Sequence, residues 1–343
     1  MYIESEEEGT IMTAIPKVFD EREALSCERL KEVRANISKL DELKSFKDLT
    51  VFGAGSYARH EASKYSDIDL FFLCRKNRNK QIDPRTKELR LFGKMIEVVE
   101  NLNFPKFSND CQYLNVLSTG DILQHLGSPT DDHENYFTAR MLLLLESKCL
   151  YGDKIYNKVI AEIVHSYFAD YPNHSHEFQP IFLLNDICRY WKTLLLNYEN
   201  KRNRIKETDE QKVKQRVRNF KLKFSRMTTC FATVSAIGSY IKPVTEEQVV
   251  RLVLLTPRQR LQDILTHVPA AKDEVGNILE EYAWFLEKTG LPTEELQSLF
   301  RDKQGRTNMF QKANEYGKLM FKLLQKLDNK SNGKGDLLRY LVI

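Results

Sequence analysis

Between residues 16 and 48 the apolar side chains Leu25, Leu30, Val33, Ile37, Leu40 and Leu43 recur at mostly three- and four-residue intervals among charged neighbours. That period predicts one or two amphipathic helices, packed beside a sheet. The pattern then changes. LTVFGAG, from Leu49, and DIDLFFLC, ending at Cys74, are short β-branched and aromatic runs, the composition of buried strands. A basic, helix-like stretch follows, and KMIEVVENLNF, from Lys94 to Phe104, predicts a third strand. From Asp131 helical periodicity takes over almost to the end, with stops at Gly152, Pro172, Pro243, Gly290 and Gly333. Tyr136 to Leu150, Pro180 to Asn200, Lys212 to Ile241, Glu246 to Leu265, Asp273 to Lys288, Thr293 to Phe300 and Asn308 to Asp328 each fit a helix or a helix pair. The fold class is therefore α+β, a small mixed sheet flanked by helices and followed by an all-helical domain. The predicted division is 1–48 for N-terminal helices that pack on the sheet domain, 49–130 for that domain, 131–243 for a first helical domain and 244–343 for a C-terminal helical region.

Composition narrows the class. The chain has 343 residues, 42% hydrophobic and 29% charged, the balance of a globular protein rather than a disordered one. Its longest apolar stretches, such as Met141 to Leu145 and Phe182 to Leu184, fall far short of the ~20 residues of a bilayer crossing. No membrane span is predicted, and the acidic start MYIESEEEGT is unlike a secretory signal, so a cytoplasmic location is expected. Cys27, Cys74, Cys111, Cys149, Cys188 and Cys230 form no CxxC pair, which reads as reduced, mostly buried thiols. The formal charge is +4, but Lys201 to Arg226 alone holds 11 Lys or Arg against 3 Asp or Glu, a local +8. One basic element that meets a polyanion fits this better than a coat for nucleic acid.

The candidate chemistry lies in VFGAGSYARHEASKYSDIDLFF, residues 51–72. With a side-chain period of two, Asp67 and Asp69 project to one side of their strand. Two adjacent carboxylates suit hard divalent cations, which take oxygen ligands and can clamp a triphosphate. Gly55 and Ser56 follow the preceding strand, where a residue without a side chain admits a phosphate close to backbone N–H groups and the Ser hydroxyl adds a donor.

Gly55-Ser56 followed by Asp67-Ile68-Asp69 resembles the active-site signature of the DNA polymerase β nucleotidyltransferase superfamily. Within it, GSYARHEASKYSDIDL is similar to the bacterial PII-protein uridylyltransferase-like nucleotidyltransferases. FTARMLLLLESKCLYGD (137–153), LLNDICRYWKTLLLNYE (183–199) and RNFKLKFSR (218–226) resemble later blocks of the same proteins. The resemblance implies a polymerase-β-like catalytic domain at 49–130 and a helical domain that closes over the nucleotide. It implies transfer of NMP from an NTP, ATP among them, to an acceptor hydroxyl with release of pyrophosphate, assisted by two Mg²⁺ ions, with Mn²⁺ as the alternative. The favoured acceptor is a protein or small molecule, with a nucleotide or RNA as alternatives, and a cyclic oligonucleotide synthase shares the signature. A third carboxylate is implied on the next strand. Glu97 and Glu100 would point to opposite faces of KMIEVVENLNF, so one can join; Glu97 is chosen, with Glu100 and Asp110 as alternatives. In the helical blocks the resemblance points Lys192, Lys221 and Ser225 at the triphosphate. The rival expectation is a catalytically impaired fold that binds a nucleotide or partner.

Two departures matter. The chain contains no His-Asp dipeptide, the mark of the uridylyltransferases' phosphohydrolase domain, and His60 replaces the glycine common after the motif's Arg. Elsewhere, His174 and His176 read as a solvated turn, Tyr190 and Trp191 as either helix packing or a base-stacking pair, and Arg189 as a partner of Asp186 or Glu199.

Overall fold

The computed structural model describes residues 16–75, 85–105, 114–203, 208–330 and 336–342. The chain enters through α1 (Lys17–Ile37) and a single turn, α2 (Asp41–Lys44), then runs β1 (Leu49–Ala54), β2 (Asp69–Cys74) and α3 (Arg85–Asn101). β3 (Val116–Ser118), α4 (Thr119–Gln124), α5 (Pro129–His133), α6 (Tyr136–Leu145), β4 (Ser147–Tyr151) and α7 (Asp153–Ser166) follow. The remainder is helical: α8 (Ile181–Asn203), α9 (Asp209–Lys221), a π-helical turn (Leu222–Arg226), α10 (Met227–Ser239), α11 (Glu246–Val253), α12 (Pro257–His267), α13 (Lys272–Thr289), α14 (Thr293–Arg301), α15 (Lys303–Lys330) and α16 (Asp336–Val342). Short 3₁₀ turns lie at Tyr171–Asn173 and Pro269–Ala271.

The four strands lie in the order β3-β2-β1-β4. β1 pairs antiparallel with β2 (Ala54 opposite Asp69) and with β4, while β2 pairs parallel with β3 (Phe72 opposite Val116). All six residues of β1 are buried, because the strand is central and both faces of the sheet are covered. Its alternation divides two cores. Leu49 and Val51 join Leu70 and Phe72 of β2 against Leu30, Val33 and Ile37 of α1 and Leu91, Phe92 and Met95 of α3. Phe52, Ala54 and Leu73 face the larger core built by the helices after β3.

Two sequence expectations change here. KMIEVVENLNF is not a strand: α3 runs through it, because Leu91, Met95 and Val99 recur at four-residue spacing and are buried on one face. The third strand is Val116–Ser118 instead. The predicted helix Tyr136 to Leu150 stops at Leu145, and Ser147–Tyr151 pairs along β1 as the sheet's other edge. Ser147 Oγ donates to the Leu143 carbonyl at 2.5 Å, occupying an acceptor that further helix would have used. Gly152 then turns the chain into α7 at φ +78°, and a Cβ there would stand 2.5 Å from the Leu49 carbonyl oxygen.

The region after β4 packs around aromatic rings. Phe224 stacks on Phe285 at 4.8 Å and on Tyr316 at 4.5 Å, while Phe220 meets Trp284 and Phe300. These contacts hold the π-helical turn between α9 and α10. The wider turn displaces carbonyls from the regular ladder, and hydroxyls take them up: Thr228 donates to Phe224 O at 2.7 Å and Thr229 to Ser225 O at 2.9 Å.

Candidate active site

The parity of β2 decides the site's orientation. Asp69 shares its face with Phe71 and Leu73, which pack on the helical core, whereas Leu70 and Phe72 pack on the α1 and α3 side. Asp69 therefore projects toward the helices, and Asp67, two residues earlier, lies close enough to act on its charge.

The turn after β1 closes over the same point. Arg59 N donates to Gly55 O at 3.0 Å and Glu61 N to Ser56 O at 2.8 Å, wrapping Gly55–Glu61 into a compact loop. Gly55 has φ +76°, and a Cβ there would lie 3.3 Å from Asp69 Oδ2. Glycine thus serves both the left-handed backbone and the open space above the carboxylate. Ser56 is half-buried beside it.

Opposite the aspartates stand cations from the π-helical turn and its entrance. Lys221 acts on Asp67, and Arg226 on Asp69. An α-helix would set these two residues well apart around the axis, whereas a π-helical i→i+5 turn brings them toward a common face. Between them, the Ser225 hydroxyl is buried and, among the described residues, has no hydrogen-bond partner. Lys221 retains exposed surface although protein surrounds it on most sides, the position of a side chain in a cleft.

Buried charges support this arrangement. Arg59 Nε donates to Glu61 at 2.7 Å and its Nη1 to Glu146, and Glu146 also pairs with Arg226. Arg59, Glu61 and Glu146 are almost fully buried, so two arginines and two carboxylates form a neutral unit behind the site. The Tyr282 hydroxyl lies against Glu61. None of Arg59, Glu61 or Glu146 stands out in the sequence. An arginine and a glutamate two residues apart carry no signal until Glu146 and Arg226 join them in space.

Burial and charge act against one another at these residues. Burial, then the neighbouring Asp67 carboxylate, pushes the Asp69 pKa up, while Arg226 and Arg59 pull it down. Burial lowers Lys221, with Arg59 and Arg22 adding to that effect and Asp67 opposing it. Burial, followed by Arg59, lowers Arg226 to about 10, with Asp69 opposing. Two adjacent carboxylates fit divalent cations, and the space above Gly55 leaves Asp69 Oδ2 accessible to one.

Residues 33–108 match the family model described as nucleotidyltransferase domain. That segment is similar to a nucleotidyltransferase domain. The match runs from the second half of α1 through β1, the Gly55–Glu61 turn, β2 and α3, and it supports the polymerase-β-like superfamily. No curated protein matches the chain. The fold agrees: a small mixed sheet flanked by helices, followed by a mostly helical region.

Other sequence-derived candidates of this nucleotidyltransferase domain and its helical extension fall elsewhere. Glu97 lies on the exposed side of helix α3, 2.7 Å from Lys94, rather than on a strand beside Asp67 and Asp69. Glu100 is also exposed on α3, and Asp110 lies outside the described residues. Lys192 is exposed on α8, where the Cys188 thiol feels its charge. Tyr190 is buried against Phe137 and Trp191 packs edge-on to Phe231, so both belong to helix packing. Arg189 pairs mainly with Asp132, at 2.5 Å, and only at 3.7 Å with Asp186; Glu199 pairs with Arg202. His174 sits in an exposed pair with Asp170 at 3.3 Å.

Proposed function

We propose that this protein transfers NMP from an NTP to an acceptor hydroxyl and releases pyrophosphate, with divalent cations, Mg²⁺ first among them, held by Asp67 and Asp69. The observation that carries this reading is the grouping of Asp67 and Asp69 with Lys221 and Arg226, near enough for their charges to act on one another, with Gly55 directly against Asp69 Oδ2. Bound cations would supply charge stabilisation at the transferred phosphorus and lower the pKa of the attacking hydroxyl. The chain's own contributions are separable. Gly55 keeps the space over Asp69 open, and the Ser56 hydroxyl and loop amides can donate to terminal phosphates. Lys221 and Arg226 offset phosphate charge, and Ser225 has a free donor for the same ligand. The Arg59–Glu61–Glu146 unit fixes Arg226 and the loop from behind. A protein or small molecule is the favoured acceptor, because Arg202, Lys212 and Lys214 of the basic stretch are each paired with an acidic neighbour rather than free to form a phosphate track.

The positions of Glu97 and Glu100 favour one competing reading, in which the cleft binds a nucleotide without turning it over. Incubation of the full chain with Mg²⁺ and each of four α-labelled NTPs, with and without cell extract, separates the two. Label in a product, with pyrophosphate released, supports transfer and identifies donor and acceptor class. Retention of NTP by the protein without product supports the binding reading.

Lys221 offers a test within the cleft. Lys221→Met should raise KM for the NTP about 10- to 100-fold, as expected for loss of a charge-assisted phosphate contact. Because its pKa is lowered, Lys221 loses its proton at a lower pH than an ordinary lysine. NTP affinity of the free protein should therefore decline as pH rises into the alkaline range. Lys221→Arg should move that decline to higher pH, and an unchanged profile would remove Lys221 from the site.

A further inference from the structure

On the other side of the Gly55–Glu61 turn, three chemically different ligating groups converge. Glu23 and Cys27 stand four residues apart on one face of α1, and His60 reaches them from the end of the turn. His60 Nδ1 lies 3.1 Å from Glu23 Oε1, His60 Nε2 lies 3.9 Å from Cys27 Sγ, and one ligand atom from each residue falls within 4.8 Å of the others. Among the described residues this is the one group of His, Cys, Asp and Glu side chains with such spacing.

We propose that Glu23, Cys27 and His60 form a binding site for a single Zn²⁺ ion, distinct from the carboxylate pair in the cleft. Thiolate with imidazole is the ligand chemistry that selects zinc over Mg²⁺, and a carboxylate completes three protein ligands with one position open to water. Atoms sharing a tetrahedral zinc stand roughly 3.3–3.8 Å apart, given bonds of about 2.0–2.3 Å. The Sγ to Nε2 separation already approaches that value, and rotation of the partly exposed Glu23 side chain closes the rest.

A second, independent observation concerns the backbone. His60 has φ +60°, a conformation that a residue with a Cβ adopts at a cost. The loop holds the imidazole toward α1 in spite of it. The neighbouring cations leave the ligand atoms available: Arg258 approaches the other Glu23 oxygen, Oε2, at 3.4 Å, and Lys148 donates to the Leu254 carbonyl at 3.0 Å. A thiolate and a carboxylate together balance the charge of the dication. Cys27 is exposed, unlike the buried Cys188 and Cys230, so a metal can reach it. The sequence expectation that the cysteines are mostly buried is thereby corrected: among the described ones only Cys188 and Cys230 are buried. Coordination replaces the Sγ–H bond with an Sγ–Zn bond and releases that proton to solvent.

Co²⁺ is the probe, because its complexes report thiolate coordination optically. Chelator-treated full-length protein titrated with Co²⁺ should develop a sulfur-to-cobalt charge-transfer band at one equivalent, and Zn²⁺ should displace it. Cys27→Ser should abolish the band, and His60→Ala should weaken Co²⁺ binding at least about 10-fold. Asp67→Asn with Asp69→Asn should leave the band intact, which separates this site from the nucleotide cleft. No band in the wild-type protein, or a band that survives Cys27→Ser, overturns the proposal. Circular dichroism of each variant verifies folding, and native mass spectrometry of the wild-type protein with Zn²⁺ gives the stoichiometry without recourse to activity.

Discussion

Replacement of both aspartates of the cleft, Asp67→Asn with Asp69→Asn, should reduce NMP transfer by at least about 10³-fold while leaving the protein folded, because the two oxygen ligands proposed to hold the catalytic cations are removed together. The accompanying stability change should have the opposite sign from ordinary damage. The folded-state pKa of Asp69 is raised, first by burial and then by Asp67. The ionised carboxylate therefore costs folding stability. That cost appears as pH climbs from the unfolded value, about 3.9, through the folded one, and it is fully present at neutral pH. Asp69→Asn should accordingly raise the Tm of metal-free protein at pH 7. The difference from wild type should shrink as pH falls below about 4, where both side chains are neutral. Mg²⁺ should raise the Tm of the wild-type protein by mass action and leave the double variant unchanged. Differential scanning calorimetry at both pH values, with and without Mg²⁺, reads all three effects. Wild-type transfer rates in the double variant would remove the aspartates from the mechanism.

Arg260→Met should give the largest loss of stability of any single substitution considered. The guanidinium is fully buried and donates to the carbonyls of Leu144, Leu145, Leu252 and Val253 at 2.9–3.2 Å, and to Thr233 Oγ1 at 2.7 Å. These carbonyls lie at the C-terminal ends of α6 and α11, where a helix has unpaired acceptors and negative partial charge. One side chain thus caps two helices and ties the chain just before β4 to α12. Burial lowers the Arg260 pKa to about 10, so the cation is held there by carbonyl dipoles rather than by a carboxylate. Methionine of similar length would leave those acceptors buried and unpaired, at a cost of about 3–5 kcal/mol. The expected fall in Tm is roughly 4–7 °C. Arg260→Lys should recover little, because a single ammonium cannot reproduce the planar fork. A change within about 2 °C would show that water replaces the guanidinium.

Arg140 illustrates the same economy with a carboxylate partner. It is fully buried, forms a bidentate pair with Asp131 at 2.8 and 2.9 Å, and reaches Asp186 and Tyr167. Arg59, Arg140 and Arg260 are therefore interior residues in three settings. Only Arg59 is tied to the cleft, through Glu146 and Arg226.

What the sequence determined was local and periodic. The sequence marks Asp69 as the first residue of an apolar strand and a glycine before a serine as the turn after β1, but Asp67 lies ahead of β2, so its place beside Asp69 is set by the fold and not by strand alternation. Most helices after residue 150 were legible because long runs at three- and four-residue spacing exclude a strand. Short apolar runs were ambiguous for the same reason. KMIEVVENLNF alternates well enough to suggest a strand, and only its continuation back through Leu91 and Phe92 to one buried face makes α3. Ser147–Tyr151 became β4 because the exposed edge of β1 needed a partner, a demand set by the sheet and not by those five residues.

Tertiary structure alone decided which charges meet the aspartates. Lys221 and Arg226 come from a π-helical turn more than 150 residues beyond Asp67 in a chain of 343. That turn is held by stacking of Phe224 on Phe285 and Tyr316, so no local pattern announces it. Glu146, Glu61 and Arg59 are ordinary charged residues until folding removes their water and obliges each to find a partner. The Asp67-Ile68-Asp69 motif is legible in the sequence, whereas the cations that meet it are selected by the packing of helices far along the chain.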